Sequence, residues 1–222
     1  MRRALLVIAK RPQPGQTKTR LSPPLSKEAA AALYECLLRD TLTLALRVPG
    51  EVDRFILYAP RDAAAYFREI GPEFALLPQE GNDLGARLDN ALAHCLENGF
   101  DQVIVMNSDG PTLPVHHLSQ AFEQVARADV VLGPSEDGGY YLIGLTQPQP
   151  RILREVEMST PHVLQDTLAL SKKEGLTVHL LPPWYDIDTI ADLERLWADL
   201  AQGKGRAEHT SGFLERQKER NQ

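Results

Sequence analysis

Three stretches carry the side chains suited to handling a charged ligand. Residues 10–20, Lys10-Arg11-Pro12-Gln13-Pro14-Gly15-Gln16-Thr17-Lys18-Thr19-Arg20, place four bases, one glycine and two prolines in eleven positions. Lys10, Lys18 and Arg20 can neutralise phosphates, Arg20 in two-pronged fashion. The prolines stiffen the loop, and Gly15 permits a turn or a ligand's close approach. The loop is not a Walker loop, because Thr17 stands where glycine must precede the lysine and Pro12 where the earlier glycine belongs. No G-x-G-x-x-G is present. The alternative is a solvated basic loop.

Carboxylates supply the complementary charge. Asp109, in Asn107-Ser108-Asp109-Gly110-Pro111-Thr112, follows an apolar run and needs a partner, either a hard cation such as Mg2+ or Mn2+ or its own turn. Asp186 and Asp188 are two apart, so in extended chain they face one way and can add a ligand to the same cation. Either Asp188 or Thr189 can instead cap the next helix. Asp137, before Gly138-Gly139, suits a general base or a hydroxyl anchor, and suits an Asp-Gly hairpin turn at least as well. Asp83 reads first as a helix N-cap and second as a contact to a base or ribose. His116-His117 lack spaced zinc partners.

The elements that must hold these residues follow from apolar patterning. Ala4–Ala9 and Val103–Met106 are unbroken apolar runs, as in parallel strands covered on both faces. Further strands are expected at Phe55–Ala59, Phe74–Leu77, Val130–Leu132, Tyr140–Leu145 and Val178–Leu181. Helices are expected at 27–47 behind Ser26, 62–70, 84–97, 115–126, 160–173 with Pro161 in the first turn, and from Thr189 onward. Alternating strands and helices give an α/β fold, a mostly parallel, Rossmann-like sheet with helices on both faces. Ligands then bind beyond the carboxyl ends of the strands, where the three charged stretches fall.

Composition narrows the partners. The chain has 222 residues and a formal charge of -6. Residues 1–27 hold seven bases and no acid, and the rest hold 17 bases and 30 acids. This argues against a nucleic-acid surface and for a small anionic ligand at a basic loop. Apolar runs fall far short of the ~20 residues of a membrane span. Cys36 and Cys95 sit in apolar helical patterns without redox or zinc spacing, which suits buried thiols and a cytoplasmic setting. A single domain over 1–202 is expected, followed by a charged, flexible tail over 203–222.

Lys10-Arg11-Pro12-x-Pro14-Gly15-x-x-Lys18-Thr19-Arg20-Leu21, Asn107-Ser108-Asp109-Gly110-Pro111-Thr112-Leu113 and Gly133-Pro134-x-x-Asp137-Gly138-Gly139-Tyr140-Tyr141-Leu142-Ile143-Gly144 together resemble a bacterial family. Its members are glycosyltransferase-A-like proteins described as nucleotide-diphospho-sugar transferases. The resemblance spans about residues 4–200. More distantly the chain is similar to phospholactate and molybdenum-cofactor guanylyltransferases, through the Lys-Ser/Thr-Arg-Leu loop and an Asp-x-Pro element.

The resemblance implies one glycosyltransferase-A (GT-A) domain holding a nucleotide or nucleotide-sugar. Lys10, Gly15, Lys18, Thr19 and Arg20 would hold its phosphates, and Asp109 would bind the metal. Asn107 stands where many glycosyltransferases have the first Asp of Asp-x-Asp. Metal binding would then draw on Asp186 or Asp188, as in nucleotidylyltransferases. The first expected activity is metal-dependent glycosyl transfer to a small-molecule acceptor, with Asp137, Lys18 and Arg20 as catalytic groups. The second is nucleotidylyl transfer from a nucleoside triphosphate to a phosphorylated small molecule. The third is a non-catalytic nucleotide-binding partner protein.

Overall fold

The computed structural model describes residues 1–220. Seven strands form one sheet: β1 (Arg3–Lys10), β2 (Asp53–Ala59), β3 (Ala75–Pro78), β4 (Gln102–Met106), β5 (Val130–Pro134), β6 (Tyr140–Leu145) and β7 (Val178–Leu180). Their spatial order is β3-β2-β1-β4-β6-β5-β7. All neighbours run parallel except β6, which is antiparallel to β4 and β5. A short hairpin joins β5 to β6, and a hairpin can only make antiparallel partners.

The unbroken apolar runs in β1 and β4 have the expected cause. Leu5, Val7, Ile104 and Met106 enter the apolar cluster on one face, and Ala4, Leu6, Val103 and Val105 enter the other. The first face is covered by α1 (Lys27–Leu46), α2 (Ala64–Ile70) and α4 (Val115–Val125), the second by α3 (Leu84–Glu97), α5 (Pro150–Arg154) and α6 (Val163–Lys173). Caps set several helix starts: Ser26 Oγ accepts the Ala29 N–H, and Thr189 and Asp192 form a reciprocal capping box at α7 (Ile190–Ala201).

Three expectations need correction. The helix expected from Thr160 begins at Val163, because Thr160 Oγ1 accepts the His162 N–H within a turn. Cys36 is half-buried, while Cys95 is buried. The tail expected to be flexible forms α8 (Glu208–Arg220) instead. Its few apolar residues suffice because Phe213 and Leu214 join a third cluster with Leu33, Leu37 and Leu196 of α1 and α7.

The topology selects one place for a ligand. From β1 the chain steps outward to β2 and β3, then α3 returns it to β4 on the other side of β1. Strand order therefore reverses between β1 and β4, and a crevice opens at their carboxyl ends. The basic loop follows β1, and Asp109 follows β4.

Candidate functional site

A cleft of about 640 Å³ lies at this crevice. Lys18, Thr19 and Arg20 form one wall, and Asn107, Asp109, Asp186 and Asp188 line it as well. Leu84, Leu88, Tyr140 and Met158 give it an apolar side.

Lys18 is presented by strained backbone. Its φ and ψ are 48° and 44°, the left-handed region, which costs a non-glycine residue roughly 1–3 kcal/mol. Two ties hold it there: Thr17 Oγ1 donates to the Gln13 carbonyl, and the Leu21 N–H donates to the Lys18 carbonyl. Lys18 Nζ thereby lies 3.0 Å from Asp109 Oδ2 and 2.8 Å from Asp188 Oδ1, with its side chain only 5% exposed. Burial opposes its charge, but Asp109 and then Asp188 outweigh that and hold the amine above its ordinary pKa. Lys18 is thus held as an ammonium.

Asp186 is held differently. Asn107 Nδ2 and Ser135 Oγ each donate to one of its oxygens at 2.7 Å. Burial, and next the charge of Asp109, push its carboxyl up to about 6, against the hydrogen bonds from Ser135 and Asn107. Two carboxylates near enough to repel at a strand end are a place where a cation is favoured. Among the described residues no group of three or more His, Cys, Asp or Glu side chains is arranged so that it could hold a metal ion. Asp109, Asp186 and Asp188 line the same cleft and bring only oxygen atoms to it.

Of the residues singled out from sequence, Lys18, Thr19, Arg20, Asp109, Asp137, Asp186 and Asp188 meet in the cleft. Three stand apart. Lys10 is exposed at the end of β1, and its backbone N–H donates to Tyr34 Oη. Gly15 borders a separate hollow with Lys27. Asp83 caps α3 through the Ala86 N–H at 2.8 Å and does not line the cleft. Asp137 lines it, but its Oδ1 accepts the Gly139 N–H at 3.0 Å and closes the β5–β6 turn.

Sequence reasoning missed the supports. Asn107 and Ser135 orient Asp186, and the buried Ser108 hydroxyl meets Tyr34 Oη at 2.9 Å. Asn107 and Ser108 adjoin Asp109, so their position at a strand end was a usable signal. Met158 and Ser159 form a wall that no motif announces, because only the fold brings their connector over the crevice.

A parallel sheet with a strand-order reversal, and a cleft there that sets buried ammonium against clustered carboxylates, define an enzyme of the nucleotidylyltransferase and nucleotide-diphospho-sugar transferase class. The chain belongs to the bacterial family DUF2064, described as "Uncharacterized protein conserved in bacteria", whose pattern matches residues 42–160.

Relatives and solved structures agree with that class. A 2-phospho-L-lactate guanylyltransferase of Methanothermobacter thermautotrophicus is 30% identical over 181 residues, 79% of this chain and 76% of that protein. A phosphoenolpyruvate guanylyltransferase of Mycobacterium leprae is 26% identical over 183 residues, 79% and 80% of the two chains. A crystal structure from Desulfovibrio desulfuricans G20, provisionally described as a nucleotide-diphospho-sugar transferase, superposes with a TM-score of 0.89 at 32% identity over 97% of this chain and 95% of that one. A CMP:2-keto-3-deoxy-manno-octonic acid synthetase complexed with CTP shares the fold, with a TM-score of 0.59 at 13% identity over 91% and 100% of the chains. Among the described residues no helix is long and apolar enough to cross a membrane.

Proposed function

We propose that the enzyme is a nucleotidylyltransferase joining a nucleoside triphosphate to a phosphorylated small molecule. The observation that carries this reading is the bridge from Lys18 to Asp109 and Asp188. It pre-sets a cation and its counter-charges where a triphosphate enters, so the ammonium can pass from carboxylate to phosphate without a large rearrangement.

Glycosyl transfer to a hydroxyl, the first expectation from sequence, calls for a base. Asp137 is the candidate, and one of its oxygens is committed to Gly139. An acceptor phosphate is already a nucleophile and needs no base. The guanylyltransferase relatives support the same choice and make GTP the first donor to try.

In this reading an oxygen of the acceptor phosphate attacks the α-phosphorus. The bond from α-phosphorus to the bridging oxygen breaks, and pyrophosphate leaves. Lys18 and Arg20 neutralise the charge growing on that pyrophosphate. Asp109, with Asp186 or Asp188, would hold magnesium or manganese, which draws charge from the phosphates when bound. Thr19 hydrogen-bonds a phosphate, Lys10 stays a rim cation, and Gly15 and Asp83 take no direct part.

The test mixes the protein and Mg2+ or Mn2+ with nucleoside triphosphates and phosphorylated acids, including 2-phospho-L-lactate and phosphoenolpyruvate, and follows pyrophosphate. Release of nucleoside diphosphate from a nucleotide-sugar instead selects glycosyl transfer. Tight nucleotide binding without turnover across the panel selects the non-catalytic reading. An Asp109→Ala variant that kept nucleotide and metal binding unchanged removes the cleft from consideration.

A further inference from the structure

The head of α8 is gripped by a residue far away in sequence. Asp40, in the middle of α1, is 5% exposed. Its Oδ1 accepts the His209 N–H at 3.0 Å, and its Oδ2 accepts the Thr210 N–H at 2.8 Å and the Thr210 hydroxyl at 2.6 Å. Thr210 is fully buried. A carboxylate thus satisfies the free N–H groups of a helix start from another helix.

What α8 then covers is the back of the cleft. Phe213 packs in one cluster with Leu21, Tyr185 and Ile187. Leu21 follows Arg20 directly, and Tyr185 and Ile187 flank Asp186. Ile187 also donates its N–H to the Asp109 carbonyl at 3.2 Å. The connector into α8 touches the remaining loop: Gly205, at φ +97°, runs so close to Thr112 that a Cβ there would lie 2.9 Å from that side chain. The C-terminal segment therefore lies against the Asp109 loop at Thr112 and shares one apolar cluster with the residues flanking Arg20 and Asp186.

We propose that residues 203–214 are a positioning brace for the cleft, locked by Asp40 onto the head of α8 and transmitted through Phe213 to Leu21 and Ile187. The brace fixes the spacing of the Lys18 and Asp188 loops. It rests on the nucleotide reading of the cleft only for its effect on binding.

The test uses full-length protein, hydrogen exchange of residues 17–22 and 185–188, and the affinity for Mn2+·GTP. Thr210→Val removes the hydroxyl and Phe213→Ala removes the packing, whereas Thr210→Ser keeps the hydroxyl. Thr210→Val and Phe213→Ala are expected to speed exchange in both loops about tenfold and to weaken Mn2+·GTP by a similar factor, with β1 and β4 unchanged. Thr210→Ser is expected to behave as the parent.

Unchanged loop exchange, or an even rise through every strand, overturns the brace. If Thr210→Val does not fold, Phe213→Ala gives the answer. Looser loops in a protein whose parent form binds no Mn2+·GTP keep the brace and remove the nucleotide reading. Binding by the parent with unmoved loops in the variants removes only the brace.

Discussion

Lys18 Nζ stands 2.8 Å from Asp188 Oδ1 across a sequence separation of 170 residues. The contact joins the loop after β1 to the loop after β7, and Asp109 completes it from the loop after β4 at 3.0 Å. In the proposed reading Lys18 thus occupies part of the space a divalent cation would use. A Lys18→Met variant is expected to bind Mn2+ alone about tenfold more tightly, because the competing ammonium is gone. The same variant is expected to lose roughly a hundredfold or more in turnover, because the triphosphate loses its clamp. Titration calorimetry and pyrophosphate release check the two halves. Weaker Mn2+ binding contradicts the shared-space view.

Asp186 makes stability depend on pH in the metal-free protein. Its carboxyl is raised from 3.8 to about 6, so between those values the native state holds a proton that the unfolded chain has released. Its contribution is therefore most favourable below 3.8 and is lost as pH rises through about 6. Asp186→Asn is expected to melt several degrees above the parent at pH 7.5 in chelator, with the gap closing towards pH 4. Melting curves across that range check it; a constant gap refutes the assignment.

Gly138 tests the wall between the β5–β6 turn and the α6 approach. Its φ is +91°, and a Cβ there would lie 2.0 Å from the Pro161 carbonyl oxygen, a backbone atom that cannot swing aside. Its own carbonyl accepts the Leu164 N–H at 3.0 Å. Gly138→Ala is expected to lower the melting temperature by at least about 3 °C, read by calorimetry, and an unchanged melting temperature contradicts the clash.

Tyr34 ties the two strand-end loops from below. Its Oη meets Ser108 Oγ at 2.9 Å and accepts the Lys10 N–H at 3.2 Å, and burial, then the charge of Asp109, push its phenol up to about 12. Tyr34→Phe leaves the Lys10 N–H without that acceptor. The expected cost is about 1 kcal/mol, a fall of about 2–4 °C in melting temperature. No pH dependence is expected below pH 9, because the phenol stays protonated there. Calorimetry at pH 7 and 9 checks both statements.

The sequence alone determined the seven strands, most of the helices and which strand ends carry charge. Apolar runs at Ala4–Ala9 and Val103–Met106 report burial on both faces, and Ser26 and Thr189 report helix starts, because these signals depend on near neighbours in the chain. It also set Lys18, Asp109, Asp186 and Asp188 at strand ends, where a parallel sheet binds ligands. Only the tertiary structure decided which charges meet. Lys18 pairs with Asp109 and Asp188, while Asp186 is left to Asn107 and Ser135. Those choices follow from strand order and from the cost of burying a charge without a partner, both long-range quantities. For the same reason the charged C-terminus folds as α8. A short apolar face becomes a helix only when Asp40 and a waiting cluster stand opposite it.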